Sequence, residues 1–206
     1  MSKLYFRYGA MNCGKTTALL QVAHNYEERG QNVLIMKPAL DKKGNDEIVS
    51  RLGISRKVDI LLDETMHPIF MIQEILDKNI HCILVDEAQF LKREQVDELY
   101  TITKLFDIPV ISYGLRTSSE MELFEGSERL LAIADRLEEL VTICRCGHRA
   151  TINVRLDRNG NIVFGGQEQV AIDGIDANYE SYCGKCHIEQ VRGMTKEKIL
   201  DYVKKK

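Results

Sequence analysis

Short apolar runs and longer amphipathic stretches alternate from residue 3 to about residue 140. Leu4-Tyr5-Phe6-Arg7-Tyr8 has the pattern of a first strand and stops at Gly9. Leu19, Val22, Ala23 and Tyr26 then recur at helical spacing, and Gly30 follows as a C-terminal glycine. Val33-Leu34-Ile35-Met36 predicts a second strand, closed by Pro38. Residues 39–59 are polar and carry two glycines, which predicts a long loop or flap. Met66, Ile69, Phe70, Ile72, Ile75 and Leu76 mark a helix, and Ile80 to Val85 a third strand. Val96, Leu99, Tyr100 and Leu105 mark another helix, and Pro109-Val110-Ile111-Ser112-Tyr113 a fourth strand. Leu130, Leu131, Ile133, Ala134 and Leu137 predict a helix leading out of this region. Strands that alternate with helices imply an α/β fold, a parallel sheet covered on both faces. The nearly all-apolar Ile83-Leu84-Val85 suits a central strand.

The turn after the first strand carries chemistry. Gly9-Ala10-Met11-Asn12-Cys13-Gly14-Lys15-Thr16 matches GxxxxGK[ST], with a strand before it and a helix after it. In such a loop backbone N–H groups wrap phosphate oxygens, and the following helix adds its positive end. Lys15 is expected to reach the β- and γ-phosphates, and Thr16 to hold Mg²⁺ through its hydroxyl. This predicts a P-loop NTPase-like sheet. Asp86 and Glu87 end the third strand, where a carboxylate lies near the phosphate-bound metal. Two adjacent carboxylates can divide the work, one toward the metal and one toward an attacking hydroxyl. The alternative is that both merely cap the next turn.

Beyond residue 140 the chain turns rich in Gly, Asn, Asp and Cys, with short strand-like pieces. Cys144-Arg145-Cys146 and Cys183-Gly184-Lys185-Cys186 form two close pairs, an arrangement suited to structural Zn²⁺. A redox pair at Cys183 and Cys186, or unrelated buried thiols, would fit the spacing too, and the adjacent His148 and His187 are alternative ligands. Cys13 and Cys82 stand alone and are expected to pack as small apolar residues. Residues 157–182 contain four glycines and few apolar positions, so they need an external restraint and are expected to form a lid or lasso over a small ligand. The chain thus divides into 1–140, a nucleotide-binding α/β domain, 141–192, a zinc-binding lasso domain, and 193–206, a C-terminal helix and tail.

Composition narrows the function classes. A chain of 206 residues with 44% hydrophobic and 29% charged residues can build a core without disulfides. Its net charge of -3 and the lack of a Lys/Arg stripe argue against a nucleic-acid-coated surface. The start has no long apolar segment, and no run of 18 apolar residues occurs. Neither a secretory signal nor a membrane span is therefore expected, and a cytoplasmic location is.

Taken together, the phosphate loop, Asp86-Glu87-Ala88-Gln89-Phe90, Tyr113-Gly114-Leu115-Arg116-Thr117, Glu122-Leu123-Phe124-Glu125-Gly126-Ser127, Ala134-Asp135, the four cysteines and Tyr179-Glu180-Ser181 resemble one family. From about residue 3 to residue 187 the chain is similar to bacterial thymidine kinases of the cellular, tetrameric, zinc-containing type. The resemblance implies transfer of the ATP γ-phosphoryl group to the 5′-hydroxyl of thymidine, with deoxyuridine as a further acceptor. It implies that Glu87 is the general base and Lys15 a catalytic cation. Gly9 to Thr16 and Asp86 to Gln89, Ala88 included, would form the ATP and Mg²⁺ site. Met11, Phe90, Leu115, Phe124, Ile172 and Tyr179 would surround the nucleoside, and Cys144, Cys146, Cys183 and Cys186 would hold Zn²⁺. A homotetramer with feedback inhibition by thymidine triphosphate is implied as well, with no nucleic-acid or membrane partner. Two places depart from the family pattern: Ser118-Ser119 stand where Asp-Phe is usual, and Ile172-Asp173-Gly174 where Ile-Gly-Gly is usual. The rival functions are a P-loop switch that hydrolyses nucleotide with water, a zinc-containing nucleic-acid module, and a relative that binds nucleotide without catalysis.

Overall fold

A computed structural model describes residues 1–41, 46–163 and 178–205. In chain order its first half comprises β1 (Leu4–Tyr8), α1 (Lys15–Glu27), β2 (Asn32–Pro38), β3 (Glu47–Val49), β4 (Ser55–Lys57), β5 (Ile60–Leu62), α2 (Ile72–Asp77) and β6 (Ile80–Val85). There follow α3 (Arg93–Leu105), β7 (Val110–Gly114), α4 (Glu125–Ile133) and β8 (Arg136–Glu139). The last third holds β9 (Thr142–Ile143), β10 (Arg149–Ala150), β11 (Ile152–Leu156), β12 (Asn178–Tyr182), the short α5 (Gly184–Cys186) and α6 (Lys196–Lys204).

Six strands form one sheet in the order β5-β2-β6-β7-β1-β8, and every pairing in it is parallel. Successive side chains of a strand point to opposite faces. On β6, Ile83 and Val85 join Leu4, Phe6, Val96, Leu99, Ile102 and Leu130 in one core, under α3 and α4. Cys82 and Leu84 face the other way and meet Leu19 and Ala23 of α1. Cys82 is fully buried in that second core, and burial pushes its thiol up to about 12. The expected doubly covered parallel sheet is therefore present, with β6 inside it.

Three stretches differ from the expected elements. Of the helix expected from Met66 to Leu76 only Ile72–Asp77 is α-helical, and Phe70, counted on its apolar face, is 81% exposed. Residues 136–139, expected to prolong a helix, form the edge strand β8 beside β1. Leu137 is 48% exposed, so its apolar side chain marks no buried helix face. Arg7 and Glu138 face each other in the ladder and join at 2.6 Å, an ion pair that holds this edge. Residues 39–59 were expected as one loop. The described part instead contains the antiparallel hairpin β3–β4, which buries Ile48, and the chain then enters the three-residue edge strand β5.

A third core lies beyond β8. The pairs β9–β10 and β11–β12 pack Ala150, Ile152, Val154, Leu156 and Tyr182 around three buried cysteines, Cys144, Cys183 and Cys186. The middle of the expected lasso, residues 164–177, lies outside the described residues, as does Ile172 within it.

Candidate active site

The site lies at the carboxyl ends of β1, β6 and β7. Where β1 ends, the chain is closely packed at Gly9: a Cβ there would lie 2.4 Å from the Leu140 carbonyl oxygen and 2.6 Å from Cys13 Sγ. Asn12 and Gly14 adopt left-handed backbone, with φ of 65° and 81°, which curls the loop before α1 begins at Lys15. No side chain caps the start of α1, so its first N–H groups remain available to an anion. Lys15 is nearly buried and folds back over the loop, donating to the Ala10 carbonyl at 3.0 Å. Its Nζ also lies 3.6 Å from Cys13 Sγ.

Asp86 and Glu87 follow β6 directly. Thr16 Oγ1 donates to Asp86 Oδ2 at 3.2 Å, so hydroxyl and carboxylate already converge on one point. Asp86 is buried, and that burial, reinforced by the neighbouring Glu87 charge, raises its carboxyl to about 7. A divalent cation held with nucleotide at this pair would supply the charge that keeps it ionised. The oxygens present therefore fit Mg²⁺. Glu87 has φ of 48°, a costly conformation for a residue with a side chain. Two bonds hold it: its N–H donates to Asp86 Oδ1 at 3.1 Å, and Gln89 Nε2 donates to Glu87 Oε2 at 2.6 Å. Gln89 is itself buried and accepts the Leu115 N–H at 3.0 Å through Oε1. Its side chain thus ties the Glu87 carboxylate to the end of β7, while Ala88 is fully buried beneath.

A cavity of about 330 Å³ opens over these groups, lined among others by Met11, Lys15, Thr16, Asp41, Arg51 and Glu87. Asp41 is held by a buried ion pair to Lys37, at 2.9 Å, and Arg51 sits at the tip of the β3–β4 hairpin. The sequence pattern singles out neither residue, because their element was expected to be irregular.

The residues expected around a nucleoside divide between two neighbouring recesses. Met11, Leu115, Phe124 and Tyr179 line a recess with Ser118 and Ser119, of only about 10 Å³. That is room for about one water, so the two serines leave no large void, and a base enters only if the lining moves. Ser118 Oγ accepts the Glu120 and Glu122 N–H groups at 3.2 and 3.3 Å, which makes it part of a turn. Phe90 meets Phe124 edge to face, with ring centroids 5.7 Å apart, and both border an adjoining cavity of about 220 Å³. Leu115 lines both the phosphate-side cavity and the small recess, as Met11 does.

The four cysteines of the two close pairs converge. Their Sγ atoms all lie within 4.8 Å of one another, and Cys146 and Cys183 are 3.5 Å apart. Tetrahedral Zn–S bonds of about 2.3 Å would place thiolates about 3.8 Å apart, so the set fits that ion. The Cys144 thiol drops to about 7. Burial opposes the drop, but N–H groups of Cys146 and Cys183 favour the thiolate. Cys186 is pushed up to about 12 by its bonding to Cys146 and by burial. Accumulating negative charge resists the last ionisation, and a dication relieves it. His148 Nδ1 lies 3.3 Å from Cys146 Sγ, outside the ligand cluster, and no histidine belongs to that cluster among the described residues.

With a phosphate-loop motif, a strand-end carboxylate pair and a four-thiol cluster in place, the chain has a P-loop NTPase-like α/β fold and a cysteine cluster able to hold a metal ion. The family model described as "Thymidine kinase" matches residues 2–187. A thymidine kinase of Idiomarina loihiensis is 48% identical over 195 residues, covering 94% of this chain and 100% of the relative. The thymidine kinase of enterobacteria phage T4 is 47% identical, covering 90% of this chain and 95% of its own. One from Legionella pneumophila strain Lens is 47% identical, covering 94% and 91%. The chain belongs to the thymidine kinase family.

Proposed function

We infer that this chain transfers the γ-phosphoryl group of ATP to the 5′-hydroxyl of thymidine, giving thymidine monophosphate and ADP. The observation that carries the reading is the convergence of Lys15, Thr16 and Glu87 on one cavity that also contains Met11 and Leu115. Phosphate-binding and nucleoside-facing groups thus share a wall.

In this reading the loop Gly9 to Thr16 cradles the triphosphate, and the Lys15 ammonium leaves the Ala10 carbonyl to follow charge onto the transferring oxygens. Thr16 and Asp86 would hold Mg²⁺, which neutralises phosphate charge when bound with ATP. Glu87 accepts the proton of the 5′-hydroxyl, and Gln89 fixes its carboxylate for that task. Met11, Leu115, Phe124 and Tyr179, with Phe90 behind Phe124, enclose the base and sugar. Ile172 is assigned to the same pocket through the family resemblance alone. Cys144, Cys146, Cys183 and Cys186 hold a structural Zn²⁺ that braces residues 141–192 as a domain distinct from 1–140, with 193–206 as a terminal extension. A homotetramer in the cytoplasm, feedback inhibition by thymidine triphosphate and acceptance of deoxyuridine follow from the family resemblance.

A phosphoryl-transfer assay with thymidine, deoxyuridine and deoxycytidine, each against a blank without nucleoside, tests the reading. Turnover that requires thymidine supports it. ADP release at the same rate in the blank would make the chain a nucleotide hydrolase.

A further inference from the structure

The phosphate loop is not held by its own domain alone. Met11, in the middle of the loop, has both backbone polar groups bound by side chains of the cysteine-bearing unit. Its N–H donates to Asn153 Oδ1 at 2.8 Å, and its carbonyl accepts Ser181 Oγ at 2.6 Å. Asn153 lies on β11 and Ser181 on β12, and the two are direct partners in that ladder. The grip is therefore made by one rung of one antiparallel strand pair. Both side chains are buried, at 3% and 6% exposure. Asn153 Nδ2 also points to the Thr117 carbonyl, at 3.4 Å, on the strand-end loop that lines the small recess. At its far end β12 runs directly into Cys183, one of the four clustered thiols.

We propose that Asn153 and Ser181 are positioning residues through which the cysteine-bearing unit sets the conformation of the phosphate loop. This rests on the reading of Gly9 to Thr16 as the ATP site. A backbone N–H and C=O in a tight loop need partners, and a loop that found them in water would be free to rearrange. Here Met11 is fixed at both, so the following N–H groups of Asn12, Cys13 and Gly14 start from one geometry, and the cost of ordering them is met before ATP arrives. Met11 also faces the small recess, so the same grip sets one wall of the nucleoside pocket. Order around the four thiols is thereby linked to phosphate binding across the domain boundary.

The test compares full-length wild type with Asn153→Leu, Ser181→Ala, Ser181→Thr and Lys15→Ala. Calorimetry with a non-hydrolysable ATP analogue gives affinity, steady-state kinetics give KM for ATP and thymidine, and melting temperature and metal content report the fold. Losing one such hydrogen bond should weaken analogue binding about 2–10-fold. We expect Ser181→Ala to show that loss and a raised KM for both substrates, with melting and metal content held, and Ser181→Thr to restore affinity through its hydroxyl. Analogue affinity unchanged in Ser181→Ala, or equally weakened in Ser181→Thr, would overturn the proposal even if Asn153→Leu fails to fold. Lys15→Ala separates the two levels. If it binds the analogue as wild type does, the ATP-site reading fails; if it loses binding while Ser181→Ala does not, only the present inference fails.

Discussion

Gly126 packs at the first turn of α4 against the turn that carries Glu87, Gln89 and Phe90. A Cβ added there would lie 2.4 Å from the Ala88 carbonyl oxygen, 2.9 Å from that of Leu91 and 3.0 Å from that of Gln89. All three are backbone atoms, so no side chain can swing aside. Replacing a helical glycine by alanine ordinarily stabilises by about 0.5–1 kcal/mol, through the unfolded chain and the helix. Overpacking a rigid contact costs about 1–3 kcal/mol, and an approach a full ångström inside normal contact belongs at the upper end. Clash therefore wins, and Gly126→Ala should lose about 2 kcal/mol. At about 2–4 °C per kcal/mol for a chain of this size, melting should fall by about 4–8 °C. To relieve the contact, α4 or the 88–90 turn must shift, which strains the Ser127 Oγ to Leu115 carbonyl bond of 2.5 Å and moves the base of Glu87. A fall in kcat should accompany the fall in melting temperature. Calorimetry and initial rates on the same preparation check both. A variant that melts at or above wild type with unchanged kcat would refute the packing argument.

Other outcomes follow from the same geometry. Lys15→Ala should abolish turnover while ligand-free melting moves little, because Lys15 itself lines the open cavity and water can enter the space its ammonium leaves beside the Ala10 carbonyl; a large melting loss would contradict this. Elemental analysis should find one zinc per chain in fresh protein, and Cys183→Ser should lose it; well under one zinc per chain would argue against the site. Asp135 is held below its usual range: burial opposes this but is outweighed by Lys104 at 2.5 Å and the Leu4 N–H at 2.7 Å. A lowered folded value means its contribution is complete above about pH 4 and lost as pH falls through the folded value. The stability deficit of Asp135→Asn in urea unfolding should therefore shrink between about pH 6 and pH 3; a constant deficit would refute the ionic origin.

What the residues disclosed beforehand depended on how each element meets water. β6 is buried on both faces and α3 along one, so the run Ile80–Val85 and the pair Val96 and Leu99 mark them directly, whereas Leu105, counted on the same face, is 73% exposed and Ile102 is buried in its stead. The edge strands β5 and β8 have one neighbour each: β8, Arg136–Glu139, has few buried side chains and a composition like frayed helix, and β5, though apolar throughout, has only three residues, Ile60–Leu62, too few to show a period. The phosphate loop and the cysteine pairs were legible because their chemistry demands fixed residue types at fixed spacing. Asn153 and Ser181 were not, although Ser181 lies in a stretch that resembles the family. Their bonds to Met11 join positions 142 and 170 residues apart, and no local spacing encodes such a contact. Gln89 stands between these cases: the family resemblance puts it in the ATP and Mg²⁺ site, and its side chain bridges Glu87 and Leu115.

In the mechanism proposed above, Glu87 takes the proton from the thymidine 5′-hydroxyl as the γ-phosphoryl group leaves ADP. Rapid-quench transfer of labelled γ-phosphate to thymidine, with Glu87→Gln against wild type at saturating ATP, tests it most directly. Glu87→Gln should bind ATP normally and transfer the phosphoryl group about 10²–10⁴-fold more slowly. A transfer rate near that of wild type would contradict it.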